Sequence, residues 1–253
     1  VWPKFSQRVT PGFLRRYDWA TVLFRLFDPL RSLKECTIMN QVSTEFVAYF
    51  KVAIAQRREN PQGDLLTELI HAQSKGERLS DGEIIHLCIM TFVAGEQTTI
   101  AALSNGILSL LNHPQQLALL RHNPELAASA AEEIFRYESP TQYVMRVANE
   151  AINIGGQAIA PGENVVLCLG AANRDPSQFP DPDRFDIERK NNRHLAFAAG
   201  RHFCIGVGLA RLEVPIVLNA LIQGLPKFSG SIQDPVWREN IVLRSLRSLP
   251  LRW

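Results

Sequence analysis

The spacing of apolar and polar residues divides the chain into a helical front, a short stretch of alternation and a return to helix. Aromatic and basic residues are mixed early on (Phe13, Arg15, Arg16, Tyr17, Trp19), and a helix is predicted from about Phe13 to Phe27. It stops before Asp28-Pro29, because the residue ahead of a proline disfavours the helical region. From Ser43 to Glu59, the residues Phe46, Val47, Phe50 and Ile54 recur at helical spacing, and Arg57-Arg58 fall in the last turn, where cations suit the macrodipole. A short helix is predicted over Asp64–Gln73 and breaks at Lys75-Gly76. Ser80-Asp81-Gly82-Glu83 is a capping box: the serine side chain takes one orphan amide and the glutamate another. A long helix over about 81–112 follows, unbroken until Asn112-His113-Pro114, and its roughly 30 residues span about 45 Å. A helix so long and so apolar is expected to cross the middle of the fold.

Two further helices are predicted, at 114–121 and 124–137, the second alanine-rich with proline in its first turn. Past Pro140 the period changes. Val144-Met145-Arg146-Val147 and Ala151–Ile154 alternate, Gly155-Gly156 makes a turn, and Asn164–Leu169 is an apolar run, so a small sheet is expected. Pro176, Pro180 and Pro182 lie among many Asp and Arg residues between Asn173 and Asn192, a long meander that implies a task. A last helix is predicted from about Cys204 to Gln223, with loop and weak strand from Pro226 onward. The pattern as a whole is mainly α with small β-sheets (α+β), expected as a single domain over residues 1–253.

Composition narrows the classes. With 253 residues, 46% of them hydrophobic, 21% charged, a net charge of +2 and four cysteines, the chain is neither disordered nor a disulfide scaffold. The 27 Lys and Arg balance 25 Asp and Glu, so nothing points to nucleic acid. Val1-Trp2-Pro3-Lys4-Phe5-Ser6 has no secretory pattern, and Glu96, Gln97, Thr98, Thr99, Ser104 and Asn105 interrupt the one long apolar stretch. A cytoplasmic protein off the membrane is therefore expected. Cys36, Cys88, Cys168 and Cys204 include no C-x-x-C pair, so any cysteine chemistry is that of a single residue.

One stretch singles out that residue. Phe197-Ala198-Ala199-Gly200-Arg201-His202-Phe203-Cys204-Ile205-Gly206 reads F-x-x-G-x-x-x-C-x-G at a loop-to-helix boundary. A thiol there feels the positive helix end and orphan amides, which favour the thiolate. Gly200 and Gly206 remove side chains where a flat macrocycle approaches the backbone, and Phe197 can pack beside the sulfur. The plain alternative is a structural cysteine next to a glycine loop. Gly206-Val207-Gly208-Leu209-Ala210-Arg211 is a poor dinucleotide loop, since it follows no strand and ends in arginine. A Cys204–His202 nucleophile and base pair is equally poor, because residues two apart do not face each other.

The segment resembles the signature of the cytochrome P450 family, the haem-thiolate monooxygenases of soluble bacterial type, and further elements match in order. Ala94-Gly95-Glu96-Gln97-Thr98-Thr99 resembles the family's oxygen-activation motif, with Ala94 and Gly95 on the face of Thr98; taken alone, it also reads as a small-residue packing groove. Glu133-Ile134-Phe135-Arg136 is similar to the family's E-x-x-R, and Arg184 to the arginine of its meander. The resemblance thus implies a buried network of Glu133, Arg136 and Arg184, although an i, i+3 pair by itself is an ordinary surface contact worth under about 1 kcal/mol. Arg146 and His202 match groups that bind haem propionates, and otherwise read as surface cations.

What the resemblance implies is haem b with Cys204 as axial iron ligand and a cofactor site of Ala94, Gly95, Arg146, Phe197, Gly200, His202, Cys204 and Gly206. Thr98, Gln97 and Glu96 would be the catalytic side chains. The implied reaction is insertion of one oxygen atom of dioxygen into a small hydrophobic organic substrate, with electrons from NAD(P)H through a ferredoxin and ferredoxin reductase. Phe92, Val93 and Val144 are the expected pocket wall. Between Arg184 and Arg211 six cations (Arg184, Arg189, Lys190, Arg193, Arg201, Arg211) face two acids (Asp186, Glu188), either a steering surface for an acidic redox partner or a solvated face. Two departures stand out. Gln97 occupies the place where many members have an acid, and glutamine cannot cycle a proton, so slow or leaky oxygen activation is expected. The family's amino-terminal portion is also missing from the match, which opens the alternative of a truncated or haem-free relative with a structural or binding role and no monooxygenase activity.

Overall fold

The computed structural model describes residues 19–74, 77–225 and 234–251. The chain is mainly helical with small antiparallel ladders and forms two compact units, Val1–Gln97 and Thr98–Trp253.

In the first unit a helical segment over 19–24 runs into a 3-10 turn, Arg25–Phe27. Positions 13–18 of the helix predicted there lie outside the described residues. Helix α1, Leu33–Glu59, begins well before the predicted Ser43. Its start is a second capping box: Ser32 Oγ accepts from the Glu35 amide at 3.2 Å, and the Glu35 carboxylate accepts from the Ser32 amide at 2.7 Å. The early turns are mostly exposed, so periodicity alone misses them. Helix α2, Leu65–His71, is capped by Asp64, which accepts from the Thr67 amide at 3.0 Å. Strands β1 (Gln73–Ser74) and β2 (Glu77–Arg78) pair as a small hairpin ahead of α3, Asp81–Asn112. The expected capping box of α3 is present, with the Glu83 carboxylate accepting from the Ser80 amide at 2.8 Å. Ile54, Ile84 and Ile85 anchor one cluster, and Phe46 stacks on Phe50 and meets Trp19 and Phe92, with ring centroids 5.0–5.6 Å apart.

The second unit holds the rest of α3 and then α4 (Pro114–His122), a 3-10 turn (Pro124–Leu126) and α5 (Ala127–Tyr137). Strands β3 (Val144–Val147), β4 (Ile152–Ile154), β5 (Gln157–Ile159) and β6 (Asn164–Leu167) follow, then the short α6 (Leu169–Ala172) and finally α7 (Val207–Gly224). One small sheet was expected from the alternation. The strands instead form separate two-stranded ladders: β3 pairs β6 with Val144 opposite Leu167, and β4 pairs β5 through a turn at Gly155 and Gly156, both at positive φ. The strands are too short to bury two faces, and β4 is exposed throughout. The predicted strand over Asn164–Leu169 ends at Leu167, because the chain turns helical at Leu169.

The core of this unit lies where α5 packs on α7, on the end of α3 and on the meander, with Leu110, Leu120, Ala130, Ile134, Ile187, Val214 and Leu218 fully buried. Gly106 makes that approach possible: a Cβ there would stand 2.6 Å from Ile134 Cδ1. Helices α3 and α7 are long and apolar enough to cross a membrane by length and composition. Two of the polar interruptions of α3 nevertheless find protein partners, as Asn105 Nδ2 donates to the Arg244 carbonyl at 2.8 Å and Gln97 Nε2 to Thr21 Oγ1 at 3.0 Å. Residues 226–233 of the predicted tail are outside the described residues. Beyond them the tail bridges back, Thr141 to Leu243 and Trp237 to Leu246.

Candidate functional site

Helix α7 begins at Val207, three residues after Cys204, later than the predicted start. Cys204 therefore sits in the turn ahead of the helix, tied by its amide to the Phe197 carbonyl at 3.0 Å. The loop is tight: Gly200 is at φ +71°, and Ala198, a non-glycine, is at φ 58°. A Cβ at position 206 would stand 3.8 Å from Cys204 Sγ, so glycine leaves one flank of the sulfur bare. Cys204 is a free, partly exposed thiol, and its neighbours Phe203 and Ile205 expose 49% and 101% of their surface. Phe197 turns its ring onto Phe135, with centroids 4.8 Å apart, and onto His194 at 5.7 Å.

Behind the loop Glu133 is completely buried. On α5, three residues past Ala130 and next to Ile134, it lies on the apolar face, where a carboxylate demands partners. Arg136 supplies a fork, Nε to Oε2 and the terminal nitrogen to Oε1, both at 2.8 Å. The Asp186 amide donates at 2.9 Å, Asn192 Nδ2 at 3.1 Å and Arg189 Nε at 3.3 Å. The two guanidinium groups then collect meander carbonyls: Arg136 donates to Asn173, Pro182 and Arg184, and Arg189 to Pro180, Asp181 and Arg184, over 2.7–3.1 Å. One expectation is corrected here. The second arginine of the network is Arg189, not Arg184, whose side chain is 65% exposed beside Asp186 at 3.5 Å and which contributes only its backbone carbonyl.

The adjacent Glu132 was not singled out by its sequence, nor was His194. The Glu132 carboxylate accepts from Arg211 Nε at 2.9 Å, from the Arg211 terminal nitrogen at 2.8 Å, and from His194 Nε2 at 3.2 Å. Burial pushes this carboxyl upward, but the hydrogen bonds from His194 and Arg211 and the charge of Arg211 outweigh it and bring the group down to about 2. A pair of adjacent glutamates in an otherwise alanine-rich helix was the available signal.

On α3, Ala94 and Gly95 are exposed, and a Cβ at 95 would meet nothing within 4 Å. Thr98 is half-buried on the same face. Glu96 has one enclosed, unpartnered carboxylate oxygen, and burial raises the group to about 6. Gln97 is buried, its amide committed to Thr21. Phe92 packs edge-on against Phe46, Val93 is 3% exposed, and Val144 is half-buried on β3. Arg146 is half-buried and donates to the Met145 carbonyl at 2.7 Å, while His202 is exposed at the end of the 3-10 turn Gly200–His202. The expected basic surface is thinner than its count, since Arg189 is clamped on Glu133 and Arg211 on Glu132.

Comparison with known proteins matches residues 12–234 to the cytochrome P450 family model. The chain belongs to the cytochrome P450 family. It is 45% identical over 236 residues to the biotin biosynthesis cytochrome P450 of Bacillus subtilis (strain 168), covering 92% of this chain and 59% of that protein. It is 39% identical over 237 residues to 6-deoxyerythronolide B hydroxylase of Saccharopolyspora erythraea, covering 92% and 57%. Among solved structures, P450BioI in complex with acyl carrier protein ligated to hexadec-9Z-enoic acid superposes with a TM-score of 0.91 at 42% identity, covering 98% of this chain and 63% of that one. The chain thus spans somewhat under two thirds of the P450s it matches.

Three stability measurements test this P450 site. Arg189→Ala is expected to lower the unfolding free energy by about 3 kcal/mol in denaturant titration, because it leaves buried carboxylate and carbonyl groups short of donors. Arg184→Ala should change it by less than about 0.5 kcal/mol. Ala198→Gly, which relieves a left-handed alanine, should raise stability by about 1 kcal/mol in the same assay.

Proposed function

We propose that the chain is the haem-binding part of a cytoplasmic haem-thiolate monooxygenase, with Cys204 as the axial ligand. The observation that carries this reading is the loop itself. A lone thiol lies ahead of a helix, with a bare glycine flank, exposed Phe203 and Ile205 beside it, and a braced scaffold behind. These features fit a flat, apolar iron macrocycle. When bound, haem would supply the oxidation chemistry, with the Cys204 thiolate as the residue that would hold its iron.

The protein's own residues bind, orient and handle protons. Cys204 holds the iron side, and Gly200 and Gly206 keep the backbone clear. Arg146 is the cation and His202 the ring N–H donor assigned to the propionates. Ala94 and Gly95 leave open helix surface ahead of Thr98, whose hydroxyl is the donor we assign to the oxygen side. The amide of Gln97 carries no transferable proton and is fixed on Thr21, so proton supply falls to Thr98 and to Glu96, whose raised carboxyl is protonated for a larger share of the population near neutral pH than an ordinary one.

The substrate we assign is a small hydrophobic organic molecule, oxidised with one atom of dioxygen. Relatives named for biotin biosynthesis and for 6-deoxyerythronolide B hydroxylation, and one solved with an acyl chain on its carrier protein, support an apolar substrate with a polar attachment. Electrons come from NAD(P)H through a ferredoxin and its reductase, steered by the cations that remain free of the two glutamates. Phe92, Val93 and Val144 are the wall residues of this proposal.

The test is a carbon monoxide difference spectrum of the reduced, haem-supplemented chain. A thiolate-type Soret band is expected, and Cys204→Ser should abolish it without unfolding the protein. Absence of any pigment in the wild-type chain would favour a haem-free structural role instead.

A further inference from the structure

The two adjacent glutamates of α5 point in different directions and divide the scaffold between them. Glu133 collects the meander, as described above. Glu132 reaches the two ends of the cysteine loop. On the entry side, His194 has a side chain only 1% exposed, and its Nδ1 accepts from the Ala196 amide at 3.2 Å. That bond fixes the tautomer: Nδ1 carries no proton, so Nε2–H donates to Glu132. Ala196 directly precedes Phe197, the residue whose carbonyl holds the Cys204 amide. On the exit side, Arg211 stands in the second turn of α7 and grips the same carboxylate with both prongs of its fork. Its guanidinium lies 5.4 Å from the centre of the Phe197 ring, whose other contacts are Phe135 and His194. One carboxylate therefore ties residue 194, residue 211 and, through them, the aromatic platform beneath the loop.

We infer that Glu132 is a positioning residue for Cys204: it sets the span of the loop by holding His194 before it and Arg211 after it, independently of the clamp that Glu133 places on the meander. The inference rests on the reading of Cys204 as the axial ligand, since only a ligand thiol needs its height above the scaffold fixed. Replacing the Glu132 carboxylate by an amide loosens both ends together. The charge facing Arg211 is gone and one of the two acceptor oxygens becomes a donor, so the fork of Arg211 and the proton on His194 are left to share a single oxygen.

Amide hydrogen exchange in the 253-residue chain, measured without haem, tests the inference. Glu132→Gln should accelerate exchange at Ala196 and Cys204 by about tenfold and leave the Asp186 amide at its wild-type rate. Glu133→Gln should do the reverse, since the Asp186 amide is bonded to Glu133. If Glu132→Gln proves too unstable to study, Arg211→Lys keeps the charge but loses the fork, and the same two amides should speed up by a smaller factor of about three. Wild-type rates at Ala196 and Cys204, or an equal acceleration at Asp186, would overturn the inference. Because the readout needs no haem, a chain that passes this test yet takes up no pigment would sink the proposed function and leave the brace standing. In the loaded protein the same Glu132→Gln should enlarge the thiol-type fraction of the carbon monoxide band, which a purely global loss of stability would not do at temperatures well below unfolding.

Discussion

Glu133 is a carboxylate with no exposed surface on the inward face of an amphipathic helix, and the rest of the second unit is arranged around satisfying it. An isolated buried carboxylate would be driven to its neutral form or out of the core. Here five donors from four residues meet it: two from Arg136 and one each from Asp186, Arg189 and Asn192. Because both arginines spend their remaining protons on carbonyls of the meander, a single charge orders a stretch of chain with no secondary structure of its own. The meander in turn delivers Asn173, whose Oδ1 takes the Leu195 amide at 2.7 Å, immediately ahead of the cysteine loop. Irregular backbone becomes as well determined as a helix because every carbonyl it presents to that charge cluster has a donor.

The loop that emerges from this frame combines opposite properties. Its base is rigid, with Phe197 set among Phe135, His194 and Arg211. Its outer surface is unusually apolar and open, with Phe203 and Ile205 exposed. A structural cysteine is ordinarily buried among apolar neighbours, whereas a ligand thiol needs an accessible sulfur on an immobile support. The left-handed Ala198 fits the second description, since strain in a non-glycine backbone persists only where the surroundings over-determine it.

Much of this was legible in the sequence because the signals are local. The capping box at Ser80 and Glu83 announced the long helix, and the spacing of Phe197, Gly200, Cys204 and Gly206 announced the thiol loop. The mainly helical class with minor strands followed from the change of period after Pro140. What escaped notice was of two kinds. The first half of α1 carries no apolar stripe, so its real signal was the Ser32 and Glu35 cap. Arg184 is the residue that the motif matches, because a motif names a residue type near a proline, whereas burial is decided by which way the meander turns, and that depends on carbonyl partners remote in the chain. Glu132 and His194 were hidden for the same reason: they meet across 62 positions.

The Glu133 cluster is one energetic unit that holds the meander. A double-mutant cycle of Glu133→Gln and Arg189→Gln, read by denaturant unfolding, addresses it most directly. A coupling of about 2 kcal/mol is predicted, because each partner is left with an unmatched buried group when the other is removed. Effects that add to within about 0.5 kcal/mol would contradict the account.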